Sequence, residues 1–203
     1  MSDVAPAEAR TGAAAAAAPR LATARLLLRP FAPGDVEDLL SMDGDARVMR
    51  NIGEGLGPRR RDEVEASIGR IMDFAAKRPG MSLLHASTRE SGRFVGACGL
   101  FPLPDDSAIE IAYRLPQAEW GQGYATEMAH AVLVHGFRAL ALDRIVGVTH
   151  PDNVPSQRVL LKIGMRAAGE AFHYGRTMRM FVAERETMAG RREEQVHSPA
   201  EDR

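Results

Sequence analysis

Apolar residues recur every three to four positions in some stretches of this chain and alternate with polar ones in others. The two periods divide it into helices and strands. Arg25, Leu26, Leu27, Leu28 and Arg29 read as a first strand. Pro33, Gly34 and Asp35 then open a helix with Val36, Leu39, Leu40 and Met42 on one face. A glycine-rich loop at 53–57 precedes a second helix over about 58–78, whose Val64, Ile68, Ile71, Met72 and Ala75 recur at helical spacing, and Pro79-Gly80 ends it. Strands are expected at 81–87, 93–100 and 107–115, separated by turns at Glu90-Ser91-Gly92 and Pro104-Asp105-Asp106.

A longer helix follows, to about Leu140. Its Ala125, Met128, Ala129, Val132, Leu133, Gly136, Phe137 and Leu140 form one stripe, so it packs on a sheet. Residues 143–149 read as a buried strand. A helical crossover between this strand and the one at 107–115 implies that the two run parallel. A short helix at 153–163 stops at Gly164, and strands at about 165–172 and 176–184 close the domain. The expected architecture is an α/β (α+β in some schemes) fold with a mixed seven-stranded sheet and helices on both faces. Its one parallel pair, framed by antiparallel neighbours, is where two strands splay and a ligand enters.

The segment Trp120-Gly121-Gln122-Gly123-Tyr124-Ala125-Thr126-Glu127 joins that strand to the long helix. Glycines at a strand-to-helix junction let the backbone approach a ligand, and the first amides of a helix form an anion site. The turn therefore reads as a phosphate cradle, although it has neither G-x-x-x-x-G-K-[ST] nor G-x-G-x-x-G.

Composition narrows the possibilities. A chain of 203 residues suits one domain, here 21–187, with an Ala/Pro-rich disordered leader at 1–20 and a polar disordered tail at 188–203. Asp3 and Glu8 argue against a signal or transit peptide. A net charge of −1 argues against nucleic acid as partner, and no apolar run is long enough for a bilayer. The single cysteine, Cys98, reads as a core hydrophobe and suits a reducing, cytoplasmic setting. No metal site is suggested: His130 and His135 do not share a helix face, and H-E-x-x-H is absent.

Three segments together resemble the GNAT superfamily of acyl-CoA-dependent N-acetyltransferases, and within it the RimJ/RimL-like, ribosomal-protein-alanine branch. They are Arg25 to Phe31, Glu110 to Glu127, and Asn153 to Met165, and the likeness spans about 21–186. The family's pyrophosphate pattern is Gln or Arg, two residues, Gly, one residue, Gly or Ala; here Trp120 fills the first place, with Gly123 and Ala125 in the last two. The resemblance implies acetyl-CoA as co-substrate, held at Gly121, Gln122, Gly123, Tyr124, Ala125 and Thr126. It also implies a pantetheine arm paired with the main chain at Tyr113, Arg114 and Leu115, where side-chain identity matters little.

Acetyl transfer requires a neutral attacking amine and a stabilised leaving thiolate. Glu110, on the strand face opposite Ile109 and Ile111, is the candidate base; the alternative is a solvated strand residue. Ser156, in the first turn of the helix capped by Asn153, is the candidate on the thiol side. Many relatives have a tyrosine seven residues after that asparagine, but here the position is Leu160. Asn153 and Ser156 would both contact the CoA arm. Glu127 reads as a first-turn acid favoured by the helix dipole. Arg158 and Lys162 read as surface charge or CoA-phosphate ligands. His85 and His173 read as structural or acceptor-side groups. Arg59-Arg60-Arg61 reads as a solvated basic corner or the mark of a carboxylate-bearing acceptor. The implied acceptor is a primary amine, either a protein N-terminus or a small molecule, and the protein is a monomer or homodimer. Two other readings are a non-catalytic acyl-CoA sensor and a nucleotide-phosphate enzyme, though the latter lacks the lysine and metal-binding acids such sites need.

Overall fold

The computed structural model describes residues 19–52, 57–105 and 108–186. The leader before residue 19, the tail after 186, most of the glycine loop and the end of the Asp105-Asp106 turn lie outside the described residues. Strands β1 (Leu21–Ala22) and β2 (Leu26–Pro30) open the fold, followed by helices α1 (Val36–Asp43), α2 (Ala46–Met49) and α3 (Arg61–Lys77). Strands β3 (Leu83–Thr88), β4 (Phe94–Pro102) and β5 (Ile109–Arg114) lead to helix α4 (Tyr124–Arg138). Strand β6 (Arg144–Thr149), helix α5 (Val154–Lys162) and strands β7 (Arg166–His173) and β8 (Arg176–Glu184) complete it. The sheet has eight strands, not the expected seven, in the order β1-β2-β3-β4-β5-β6-β8-β7. The additional strand is the two-residue β1, too short to carry a period but paired with Leu27 and Leu28. α2 was also not expected: four residues are too few for a helical stripe, and it is held by Asp45, whose side chain accepts from the Arg47 amide.

Two helical layers sandwich the sheet. α4 places Met128, Ala129, Val132, Leu133 and Phe137 against Leu28, Cys98, Leu100, Ile111 and Ile145, while Leu160 and Ile163 from the α5 end of the chain join the same core. On the opposite face, Leu39 and Met42 of α1 and Val64 and Ile68 of α3 pack on Leu83, Phe94 and Ala97. A third cluster, Leu103, Val146 and Val182, lies on that second face at the β6–β8 end of the sheet. α5 lies close to β6, because a Cβ on Gly147 would stand 2.7 Å from a Leu160 methyl. No described helix is long and apolar enough to cross a membrane.

Six of the seven strand pairings are antiparallel ladders; the exception is at the centre. β5 and β6 run parallel and pair at a single register, Glu110 with Val146, whereas β4 stays paired to β5 as far as Arg114. Beyond Glu110 the outer edge of β5 therefore leaves β6. The free end of β5 is anchored from the other side. Arg114 donates Nε and Nη2 to the two oxygens of Asp43, at 2.7 and 3.1 Å, and Arg59 reaches the same carboxylate at 3.0 Å and the Ser67 hydroxyl at 3.1 Å. Asp43 is completely buried. Among the described residues, its charge is compensated by these two guanidinium groups. Asp43→Ala leaves both without their partner and is expected to lower stability by about 3 kcal/mol, the lower end for a broken buried pair because both arginines keep some exposure. Chemical denaturation measures this directly.

Candidate active site

The glycine turn is built as a bare backbone entrance to α4. Gly123 precedes the helix with φ 81° and ψ 1°, and Gly121 has φ 78°, a region that side chains with a Cβ seldom occupy. Nothing stands within 4 Å of the position a Cβ would take on Gly121. The amides of the first turn of α4 have no acceptor within the helix, so residues 121–126 present donors and the positive end of a helix dipole to that open side. Arg25 holds the turn in place: its Nη1 donates to the Gln122 carbonyl at 3.0 Å and its guanidinium lies 4.6 Å from the Tyr124 ring centre. Its Nε bonds Glu127 at 2.6 Å. Glu127 is thus more than a first-turn acid. It also accepts from the Thr23 hydroxyl and the Arg25 amide, and although burial works against its charge, these donors keep its carboxyl below the usual range.

Beside the turn lies a cavity of about 270 Å³. One wall is the end of β5 with Tyr113, Arg114 and Leu115; another is Trp120, Gly121 and Ala125; a third is Asn153, Pro155, Ser156 and Val159 at the start of α5. Arg47, Arg50 and Ile52, in and after α2, close the remaining side. The gap left by the departure of β5 from β6 is therefore lined by six of the expected ligand-binding residues: Tyr113, Leu115, Gly121, Ala125, Asn153 and Ser156. The other four stand apart from it. Gln122 donates its amide to Ala118 and Glu119, Gly123 and Tyr124 sit against Arg25, and Thr126 borders a second groove on the outer side of α4. Trp120 donates its indole N–H to the Leu115 carbonyl at 3.0 Å, which occupies one acceptor site on the main chain expected to meet the pantetheine arm.

The α5 end of the cavity carries two hydroxyls in contact. Asn153 caps α5 through the Ser156 amide at 3.3 Å. The Tyr113 hydroxyl lies 2.9 Å from both the carbonyl and the Oγ of Ser156. A phenol has one proton, so at most one of these contacts is its donation. When it goes to Oγ, the serine proton is left to point elsewhere. Burial raises the Tyr113 phenol above its ordinary range, so it stays protonated. This side-chain role was not legible from the sequence, which gave Tyr113 only a main-chain function. Leu160 is turned into the sheet against Gly147, so the position where many relatives carry a tyrosine belongs here to the core.

Glu110 is not a solvated strand residue. It is 6% exposed, and burial pushes its carboxyl up to about 7 against the opposing effect of bonds from the Tyr174 hydroxyl and the Val148 amide. Tyr174 covers it from the β7–β8 turn, and Glu110 does not line the cavity. Sequence reasoning missed Tyr174; the only signal was an aromatic residue beside Gly175 between two strands.

The remaining candidates resolve into structure. Arg59 belongs to the Asp43 network, Arg60 bonds Asp62, and Arg61 bonds Glu37, so the basic corner is internally paired. Arg158 and Lys162 are exposed. His135 meets the Gly80 carbonyl at 3.0 Å, and His130 is exposed. His85 is buried between Phe31 and Phe94, with Nε2 2.9 Å from Asp38. Asp35, Asp38 and His85 each bring one ligand atom within 4.8 Å of the others. Both oxygens of Asp35 are already held by Arg29 at 2.7 and 2.8 Å, so a guanidinium stands where a metal would have to bind. Cys98 is buried, which raises its thiol.

The comparisons with known proteins agree with this geometry. Residues 25–166 match the model of the acetyltransferase (GNAT) domain. The chain is 31% identical over 150 residues to the uncharacterized N-acetyltransferase YnaD of Bacillus subtilis (strain 168), covering 73% of this chain and 84% of YnaD. It superposes on a GNAT-family acetyltransferase from Bacillus anthracis with TM-score 0.70 and 26% identity, over 82% of this chain and 99% of that one. It has the same fold as RimL, a ribosomal L7/L12 alpha-N-protein acetyltransferase solved with coenzyme A, at TM-score 0.70 and 17% identity over 83% and 99% of the two chains. A domain match over most of the chain, on a sheet that opens beside the start of α4, makes this protein an acyltransferase and a member of the GNAT acetyltransferase family.

Proposed function

We propose that the chain transfers the acetyl group of acetyl-CoA to a primary amine, on a protein N-terminus or a small molecule, by direct attack in a ternary complex. The observation that carries this reading is one cavity running from the glycine turn to the Ser156 hydroxyl. Its lining suits parts of the co-substrate: the helix-start backbone at Gly121 and Ala125 for the pyrophosphate, Leu115 and Val159 beside the arm, and the Tyr113 and Ser156 hydroxyls at the far end.

Acetyl-CoA supplies an acyl group activated as a thioester. Glu110 takes the proton that the acceptor ammonium must lose, directly or through a water, since it is itself buried. The amine nitrogen then bonds the carbonyl carbon as the carbon–sulfur bond breaks, and the second proton it sheds on becoming an amide passes through solvent to the departing thiolate. Ser156 donates a hydrogen bond toward the departing sulfur, an orientation its hydroxyl takes when the Tyr113 phenol donates to Oγ instead of to the Ser156 carbonyl. A phenol raised above its ordinary range is a poor proton donor to a thiolate, so this pair stabilises the leaving group by hydrogen bonding.

The first test is a thermal-shift titration. Acetyl-CoA at roughly a hundred times its Kd adds about 2.7 kcal/mol and is expected to raise the midpoint by about 5–10 °C, whereas ATP and free acetate leave it unchanged. Absence of a shift at millimolar acetyl-CoA overturns the reading.

Two kinetic outcomes follow for the base and the leaving-group side. With the Glu110 carboxyl raised to about 7, the base is protonated and inactive below that pH; kcat/KM therefore climbs through pH 7 and levels above it. Glu110→Gln abolishes this limb and lowers kcat/KM by about 10²–10⁴ with acetyl-CoA binding retained. Ser156→Ala and Tyr113→Phe each lower kcat by about tenfold, and the double variant is little worse than either single one, because the two hydroxyls act through one hydrogen bond. Strictly multiplicative losses in single-turnover rates would show that they act separately.

A further inference from the structure

The turn between β7 and β8 contains a conformational anomaly directly over the candidate base. His173 pairs with Arg176, so the connection is a two-residue hairpin of Tyr174 and Gly175, with φ 52° and 71°. Such a turn needs positive φ at both central residues and favours Asn-Gly or Gly-Gly. A bulky aromatic residue in this region is strained, and strain of this kind persists only where its surroundings impose it. A contact to the candidate base accompanies it: the Tyr174 hydroxyl donates to Oε2 of Glu110, 64 residues away. The ring also packs beside Val146 and Val182, on the sheet face that Glu110 shares.

We infer that Tyr174 is the positioning residue for Glu110, its phenol holding the carboxylate in place as the proton acceptor of the reaction. This rests on the proposed role of Glu110. Few other polar groups could do the same. The Val148 amide bonds the carboxylate from β6. Asp105, before β5, bears on Tyr174 by its charge, which opposes loss of the phenol proton. Arg176 begins β8 directly after the turn, and Arg114, on the same face of β5, is committed to Asp43. Among the described residues, the Tyr174 hydroxyl is a side-chain donor that favours the charged carboxylate against its burial. The hairpin tip also covers the base, so acceptors must approach Glu110 along the tyrosine ring.

The test uses the full chain in four forms: wild type, Tyr174→Phe, Tyr174→Asn and Glu110→Gln. Phenylalanine keeps the ring and the strain but removes the bond, whereas asparagine suits the positive φ and removes both. The titration of the Glu110 carboxyl is followed by 13C NMR, its resonance identified by its absence in Glu110→Gln. In Tyr174→Phe that titration is expected to move upward by about half a unit or more, with the acid limb of kcat/KM moving equally and acetyl-CoA binding unchanged. In Tyr174→Asn, which also uncovers the carboxylate and relieves part of its burial, the upward shift is smaller than in Tyr174→Phe and accompanies a melting temperature equal to or above wild type, an outcome that a purely structural tyrosine would not give. An unmoved Glu110 titration in Tyr174→Phe overturns the inference, as does a moved titration with an unmoved acid limb. Full activity of Glu110→Gln removes the base reading instead, and the NMR titration still reports whether the tyrosine controls the carboxylate.

Discussion

Everything that makes this domain a site depends on the parallel joint between β5 and β6. A parallel connection needs a crossover long enough for a helix, and here that helix is α4. One residue pair, Glu110 with Val146, holds the two strands together before they part. Three functional elements meet at the opening because of chain order alone: the free end of β5, the start of α4 that follows it, and the start of α5 that follows β6. A longer ladder would close the cavity; an antiparallel joint would remove the helix whose amides face it.

Opening a sheet at its centre exposes main-chain groups and loosens its ends, and the chain counters this with buried or half-buried charge. Arg114, Arg59 and Asp43 tie the free end of β5 to α1 and to the approach to α3. Arg25, Thr23 and Glu127 tie the first strands to α4 and the glycine turn. Each network crosses between segments distant in sequence, and each uses a carboxylate whose oxygens accept several donors, so the charge is compensated rather than merely enclosed. Both networks brace segments that border the cavity beside the glycine turn.

The order of elements was legible because α3, α4 and the central strands carry long, regular periods, and the parallel pair followed from a connection rule rather than from composition. The glycine turn was legible because its conformation demands specific residues at 121 and 123. What escaped was of two kinds. β1 and α2 are held by pairing and capping contacts and are too short to carry a period. The partners of the candidate catalytic groups escaped as well: Tyr113 sits 43 residues from Ser156, and Tyr174 sits 64 from Glu110. No local pattern encodes such pairs. The same long range explains why Arg59 to Arg61 read as a basic surface when each of the three has an acidic partner in the folded chain.

Trp120 gives the molecule an optical property. It is the only tryptophan in the sequence, its indole is bonded to the Leu115 carbonyl, and it is 49% exposed on the cavity wall. Tryptophan emission from this protein therefore originates at the mouth of the β5–β6 opening and not in the packed interior. A change in its colour or intensity reports water, solute or motion at that one place, while the two helical cores on either side of the sheet contribute no tryptophan signal.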